Sequence, residues 1–360
     1  MLQFFDPFKK ELARSWSLHL TNLHLRLVEI TGKKNDWKIS RIGKIELSPG
    51  TVENGVVKNK EEFFRKLEKL KLEVFPNAPR GHQIITNINE EYAFFRTVQM
   101  PKMNESEIEE AIRWEAESNI PLPIDKVHLA WEIIKEEGPN KISVLLAATP
   151  QNIIEEKIAI FREFGLTCLV VEPESVALCR ALAFKDTDLF SDEPIIILNL
   201  KEHYTHIIVF DSEIIHLSTI SEASSESFDN SISRVFSIKV AEAEQFRKKI
   251  GWNESVELGQ KLIETTGLVF SSLRREIGSA VSFYKDKTGK DIKKILLTAE
   301  IPGKWSGFDR FLAKETGLNV RWQSPWDKSI WPKKYPLEDQ DNEEFNIAIG
   351  LALRKFEDIF

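Results

Sequence analysis

Five of the seven histidines, His19, His24, His203, His206 and His216, fall in two stretches of alternating apolar and polar residues. Imidazole is a good ligand for zinc or copper, so a metal held by strand histidines is the first chemistry to weigh. The spacing opposes it: His203 and His206 are three apart on a predicted strand and face opposite sides. Cys168 and Cys179 each stand alone in apolar surroundings and give no thiolate pair at ligand spacing. The histidines read as ordinary polar strand residues. Signatures of bond-making are also missing, with no G-x-S-x-G elbow, no P-loop and no dinucleotide glycine fingerprint. Binding chemistry remains. Trp305, Trp322, Trp326 and Trp331 gather late in the chain. With Pro325 and Pro332 nearby, they read as pinning a long loop, 322–331, to its own domain, with an interface as the alternative.

The elements that would position these residues follow from periodicity. Ser15 to Ile30 alternates on both sides of a break at Thr21-Asn22, which predicts a hairpin, and Lys38 to Leu47 reads as a third strand. Lys60 to Leu72 carries Phe63, Leu67 and Leu70 at helical spacing. His82 to Ile88 and Tyr92 to Met100 are strands. Asn104 and Glu107 have capping-box spacing at the head of a helix to Ser118 with an Ile108, Ile112, Ala116 stripe. Trp114 lies about 120° from Ile108 at 100° per residue, at the margin of that stripe, partly buried and partly available, which leaves two readings, an interface residue or plain core. Strands at 127–134 and 142–149 precede a helix stopped by Gly165, then a strand at 168–171 and a helix at 175–184. Polar residues 186–193 mark a boundary. Beyond it a hairpin or meander again comes first, at 194–220, with helices at 228–236, 240–250 and 254–285. A buried strand at 294–298 and helices at 307–316 and 342–356 close the chain. The second half thus repeats the first, and a duplicated α/β unit implies a cleft between halves.

Composition bounds the function. The chain has 360 residues, 42% of them hydrophobic, with 49 basic against 56 acidic residues for a net charge of −7. That length predicts two large domains. The mild acidity gives no steering toward a polyanion, so nucleic acid is not expected as a partner. Two cysteines exclude a disulfide scaffold and fit a reducing compartment. No apolar run reaches the roughly 18 residues of a membrane span, and the start, with Leu2, Phe4, Phe5 and Phe8, has no signal-peptide pattern. That start reads as a docked or frayed terminus, with a membrane-surface role as the alternative.

Several blocks in order are distinctive: Arg96-Thr97-Val98-Gln99-Met100-Pro101, Ala111-Ile112-Arg113-Trp114-Glu115-Ala116-Glu117, Ile120-Pro121-Leu122-Pro123-Ile124-Asp125, Leu145 to Pro150, Glu172-Pro173-Glu174-Ser175, and Ile347 to Arg354. Together they resemble the type IV pilus assembly protein PilM family, bacterial actin-like proteins related to the cell-division protein FtsA. The resemblance covers nearly the whole chain. It implies an α/β, actin-like fold of the duplicated ribonuclease-H-like kind, two halves around a cleft with a small inserted subdomain. The expected division is a first half at 1–101, the insertion at 102–165, a return to the first half at 166–192, a second half at 193–341, and a C-terminal helix at 342–360 packing back on the first half. The resemblance also implies ATP and Mg²⁺ in the cleft. Its implied partner is the N-terminal cytoplasmic tail of a PilN-like inner-membrane protein, with other pilus-machine subunits, at the inner face of the inner membrane. The partner surface implied is Arg113, Trp114, Glu117, Ile120, Pro121 and Pro123.

The nucleotide motifs depart from the family. The first family hairpin resembles G-I-D-I-G-T-S-S-I-K; here His19 replaces the Asp, Thr21 the turn Gly and Arg26 the Lys. In the second, Asn199 replaces the Asp and Lys201 the Gly, while Thr205 survives. The glycine-rich L-T-G-G-G becomes Leu297-Thr298 followed by Ala299, Glu300 and Ile301. Mg²⁺ favours carboxylate, phosphate and water oxygens, and side chains at turn glycines block backbone approach to phosphate. The expectation is a non-catalytic scaffold and pseudo-ATPase with no cofactor and no metal. Its rivals are a working ATP-dependent assembly protein of the same family and, from another class, a sugar kinase of the actin-like superfamily.

Overall fold

Apolar–polar alternation and helix caps set most element boundaries in the computed structural model, which describes residues 15–33, 36–76, 81–120, 122–136, 140–185, 193–212, 214–301, 305–323, 326–332 and 343–354. The expectations for the first eight residues, for the 186–192 boundary and for Pro121 fall outside these residues. In chain order the elements begin β1 (Trp16–Leu20), β2 (His24–Lys33), β3 (Asp36–Glu46), a short pair β4 (Val52–Glu53) and β5 (Val56–Val57), α1 (Lys60–Val74), β6 (His82–Ile88) and β7 (Phe94–Pro101). They continue α2 (Glu105–Asn119), β8 (Val127–Glu136), β9 (Lys141–Pro150), α3 (Gln151–Phe164), β10 (Leu166–Pro173) and α4 (Glu174–Lys185). Then follow β11 (Ile195–Leu200), β12 (Thr205–Asp211), β13 (Ile214–Ser221), α5 (Ser225–Phe236), α6 (Val240–Ile250), α7 (Glu257–Thr288), β14 (Lys294–Ala299), α8 (Phe308–Thr316), β15 (Asn319–Trp322) and α9 (Asn346–Leu353).

The chain forms two units, one of residues 1–185, 327–336 and 346–360, the other of 186–326 and 337–345. Unit 1 is built on a five-stranded sheet in the order β10-β6-β1-β2-β3. β1, β2 and β3 are an antiparallel meander, while β6 and β10 run parallel to β1. Trp16, Leu18 and Leu20 alternate to one face and pack with Phe63, Leu67 and Leu70 of α1 and Ile160 and Phe161 of α3. The opposite face, carrying Ser17, His19 and Arg26, meets α9. All eight α9 residues are buried, as an all-round apolar helix requires. α9 packs on α4 so closely that a Cβ at Gly350 would lie 1.8 Å from the Ala177 carbonyl oxygen. Arg180 clamps this contact, donating to Glu172 at 2.6 and 3.0 Å and to the Gly350 carbonyl at 2.9 Å, and Arg354 reaches the same carboxylate at 3.3 Å. The Glu172–Ser175 and Ile347–Arg354 blocks are thus two sides of one packed joint.

A second sheet in unit 1, β7-β9-β8, is antiparallel throughout. α2 lays Ile108, Ile112, Ala116 and the following Ile120 on Val98, Met100, Val144 and Leu146. The inserted layer therefore begins at Phe94, not Lys102, and ends at Pro150. The expected boundary of 102–165 is corrected at both ends. β7 pairs with β9 across the insertion, and α3 joins the core of the five-stranded sheet. Residues 90–92, read in part as strand, form a 3₁₀ turn.

Unit 2 repeats the five-stranded topology, in the order β15-β14-β11-β12-β13. β11 to β13 form the meander, and β14 and β15 lie parallel beside β11. Its core joins Ile196, Leu198 and Val209 to Phe228, Leu262, Phe270, Ile277 and Tyr284. Trp305 stacks on Trp252 at 5.2 Å within that core. Residues 319–322 correct the expected 322–331 loop at its start: they form an edge strand ending at Trp322. Residues 327–332, expected in the second half, belong to unit 1.

Candidate functional site

In unit 1 the β1–β2 turn closes on itself. The Thr21 amide donates to the His24 carbonyl at 3.0 Å, and the His24 amide donates to Thr21 Oγ1 at 3.0 Å. The hydroxyl at the turn thus does local work that a glycine would leave to another group. His19 is fully buried, with Nε2 3.4 Å from Glu174 Oε1. The same oxygen accepts from Asn87 Nδ2 at 2.9 Å. Asn87 also brackets Leu20, accepting from its amide at 2.9 Å and donating to its carbonyl at 3.1 Å. Lys157 is buried and donates to the Asn87 carbonyl at 2.8 Å; burial pushes its ammonium down to about 8 against the pull of Glu174. Arg26 lies opposite His19 in the ladder, also buried. Burial, then Arg26, Lys44 and His19, hold the His24 imidazole down at about 3.

Unit 2 shows a second closed set. The Lys201 ammonium lies 3.2 Å from Glu300 Oε1, and Asn199 Nδ2 donates to that oxygen at 2.9 Å. All three side chains are buried, and the Lys201 ammonium also sits 4.9 Å from the Tyr204 ring centre. The backbone ties the same segments together. The Glu300 amide donates to the Leu200 carbonyl and the Ser225 amide to the Lys201 carbonyl. Thr205 Oγ1 donates to the Ala223 carbonyl, Ala299 pairs with Leu200, and Ile301 packs on the unit 2 core. One carboxylate thus joins the end of β11, the β11–β12 turn and the end of β14. Among the described residues no three His, Cys, Asp or Glu side chains group as a metal site would require.

The structure brings His19 and Arg26 together, and likewise Asn199, Lys201 and Glu300. Two partners escaped the sequence reading. Glu174 was visible only as part of a distinctive block, and Asn87 carried no signal at all; their contacts span 155 and 67 residues.

The third set lies on α2. Asn104 and Glu107 form the expected capping box. Trp114 is 68% exposed, so its expected place at the stripe margin is corrected. The sheet lies under Ile108, Ile112 and Ala116, and the indole stands on the outward face. Arg113, Glu117 and Pro123 are exposed, as is Leu122, which sequence reasoning left out of the surface. Ile120 is 6% exposed and part of the subdomain core, which removes it from the contact surface.

Comparison with known proteins gives a consistent picture. A family model described as "Type IV pilus assembly protein PilM" matches residues 18–356. A solved "PilM-PilN type IV pilus biogenesis complex" contains a chain of TM-score 0.77 and 23% identity, covering 96% of this chain and 99% of that one. Ethanolamine utilization protein EutJ from Carboxydothermus hydrogenoformans has a TM-score of 0.55 at 12% identity, covering 94% and 89%. MreB 5 of Spiroplasma citri bound to AMPPNP has a TM-score of 0.53 at 10% identity, covering 95% of each. These neighbours and the duplicated sheets make the fold actin-like α/β.

Proposed function

The chain belongs to the type IV pilus assembly protein PilM family, and from that membership we propose that it is a non-catalytic scaffold gripping the N-terminal cytoplasmic tail of a PilN-like inner-membrane protein. It would work at the inner face of that membrane, within a pilus, competence or secretion machine. No helix among the described residues is long and apolar enough to cross a membrane, so attachment through a partner is the reading we favour. The observation that carries the proposal is Trp114: a large aromatic side chain held in the open on a separately built layer. Tryptophan is among the side chains enriched at the hot spots of protein interfaces. Pull-down of the tail by wild-type and Trp114→Ala protein tests it. Exposure predicts a stability change within about 0.5 kcal/mol. Binding should weaken by about 2 kcal/mol or more, near 30-fold. A well-folded variant that binds as tightly as wild type would remove Trp114 from the grip.

The non-catalytic part of the reading is supported by the two closed sets. Where related motifs carry Asp and Gly, this chain has His19, Thr21, Asn199 and Lys201, and the nearby carboxylates Glu174 and Glu300 are engaged by protein donors. Those residues do not fit a Mg²⁺-nucleotide. A ligand at 100 times its Kd would add about 2.7 kcal/mol of stability. The expected result is an unchanged Tm at millimolar Mg-ATP and no phosphate release; a clear rise in Tm would overturn it.

A further inference from the structure

We propose that the outward face of α2 takes a cationic peptide segment, with an arginine or lysine side chain seated on the Trp114 indole. The inference rests on the tail-gripping role above and adds the chemistry of the tail. Glu107, Glu110, Trp114 and Glu117 recur at helical spacing and form one stripe opposite Ile108, Ile112 and Ala116. All four are exposed. Glu107 also caps the helix through the Asn104 amide. Neither Glu110 nor Glu117 takes part in an ion pair among the described residues. The indole face attracts cations through its quadrupole, more strongly than any other side-chain ring. Carboxylates one turn to either side reinforce that attraction.

The helix itself gives a second reason. Acidic residues stabilise a helix N-terminus, but the C-terminal end favours cations. The last turn of α2 has no basic residue, and Glu117 stands there. That placement works against the helix, and the nearest cation on this side, Arg113 four residues earlier, makes no ion pair with Glu117 among the described residues and leaves three carboxylates around Trp114 against one guanidinium. A bound cation would relieve it. An apolar segment would cover Trp114 but gain nothing from the three carboxylates, and an anionic lipid surface would be repelled. The cytoplasmic segments of membrane proteins near their spans carry excess Lys and Arg, which suits the partner proposed.

The test uses the full chain and two fluorescein-labelled 12-residue peptides, one of alternating Arg and Leu and one with Gln in place of Arg, read by anisotropy. The Arg peptide should bind at least tenfold tighter, and raising the salt should weaken it. Trp114→Ala and the pair Glu110→Gln/Glu117→Gln should each weaken it at least tenfold. The pair Glu257→Gln/Glu264→Gln, exposed on unit 2, removes equal charge elsewhere and should leave binding unchanged. Equal binding of both peptides, or equal loss in both charge pairs, would overturn the inference. Failure of the parent reading is distinguishable. If wild-type protein pulls down the membrane partner's tail and Glu110→Gln/Glu117→Gln does so equally, the cationic inference falls while the grip stands. If wild-type protein captures no tail, the grip falls, and the two-peptide comparison still decides the chemistry of the α2 face.

Discussion

Gly350→Ala asks how closely α9 is seated. The added Cβ would lie 1.8 Å from the Ala177 carbonyl oxygen and 2.5 Å from its carbon. Ordinary contact begins near 3.4 Å, so about 1.6 Å of space is missing, and the obstacle is backbone. One helix must shift. That shift is large beside the 2.9 Å bond from Arg180 to the Gly350 carbonyl. Overpacking costs about 1–3 kcal/mol, and loss of a hydrogen bond to a charged group about 1.5–3. Helix propensity returns about 1 kcal/mol. The expected net effect is a loss of about 1.5–5 kcal/mol, read as a lower urea midpoint. Gly278→Ala is the internal control. It makes the same change in mid-helix of α7, where nothing lies within 4 Å, and should stabilise by about 0.5–1 kcal/mol. If the two substitutions move stability in the same direction, α9 is not packed backbone to backbone on α4.

The unit 2 cluster and the first hairpin give two further expectations. Glu300→Leu strands the Lys201 ammonium in a buried site and should cost about 3 kcal/mol or more, whereas adding Lys201→Met should restore most of it; a single variant as stable as wild type would show that the ion pair does little. For His24, the folded pKa of about 3 lies below the ordinary 6.5, so the unfolded chain binds more protons between those values and stability falls as pH drops through that window. His24→Gln should lose less stability than wild type over the same range in acid urea titrations, and parallel losses would refute the assignment.

Local chemistry made much of this molecule legible. The alternation in Trp16–Leu20 and its partner strand, the Asn104–Glu107 cap, and Gly165 in the left-handed region after α3 are written in neighbouring residues, because periodicity and caps act over one or two turns. So was the family resemblance, carried by ordered blocks of residues. Whatever depends on remote pairing was hidden. Gly165 shows where α3 stops, not on which sheet it packs, and β7 joins the insertion only because β9 lies beside it. The 120° offset of Trp114 left its exposure open until the position of the sheet settled it. His19 could be read as a lost aspartate, but its neighbour Glu174 stands 155 residues away, and Glu300 lies 101 residues from Asn199. A buried charge must find its partner wherever the chain brings one, so the sequence by itself determined the elements and the family, and only the tertiary structure decided which polar groups close on each other and which aromatic side chain is left facing outward.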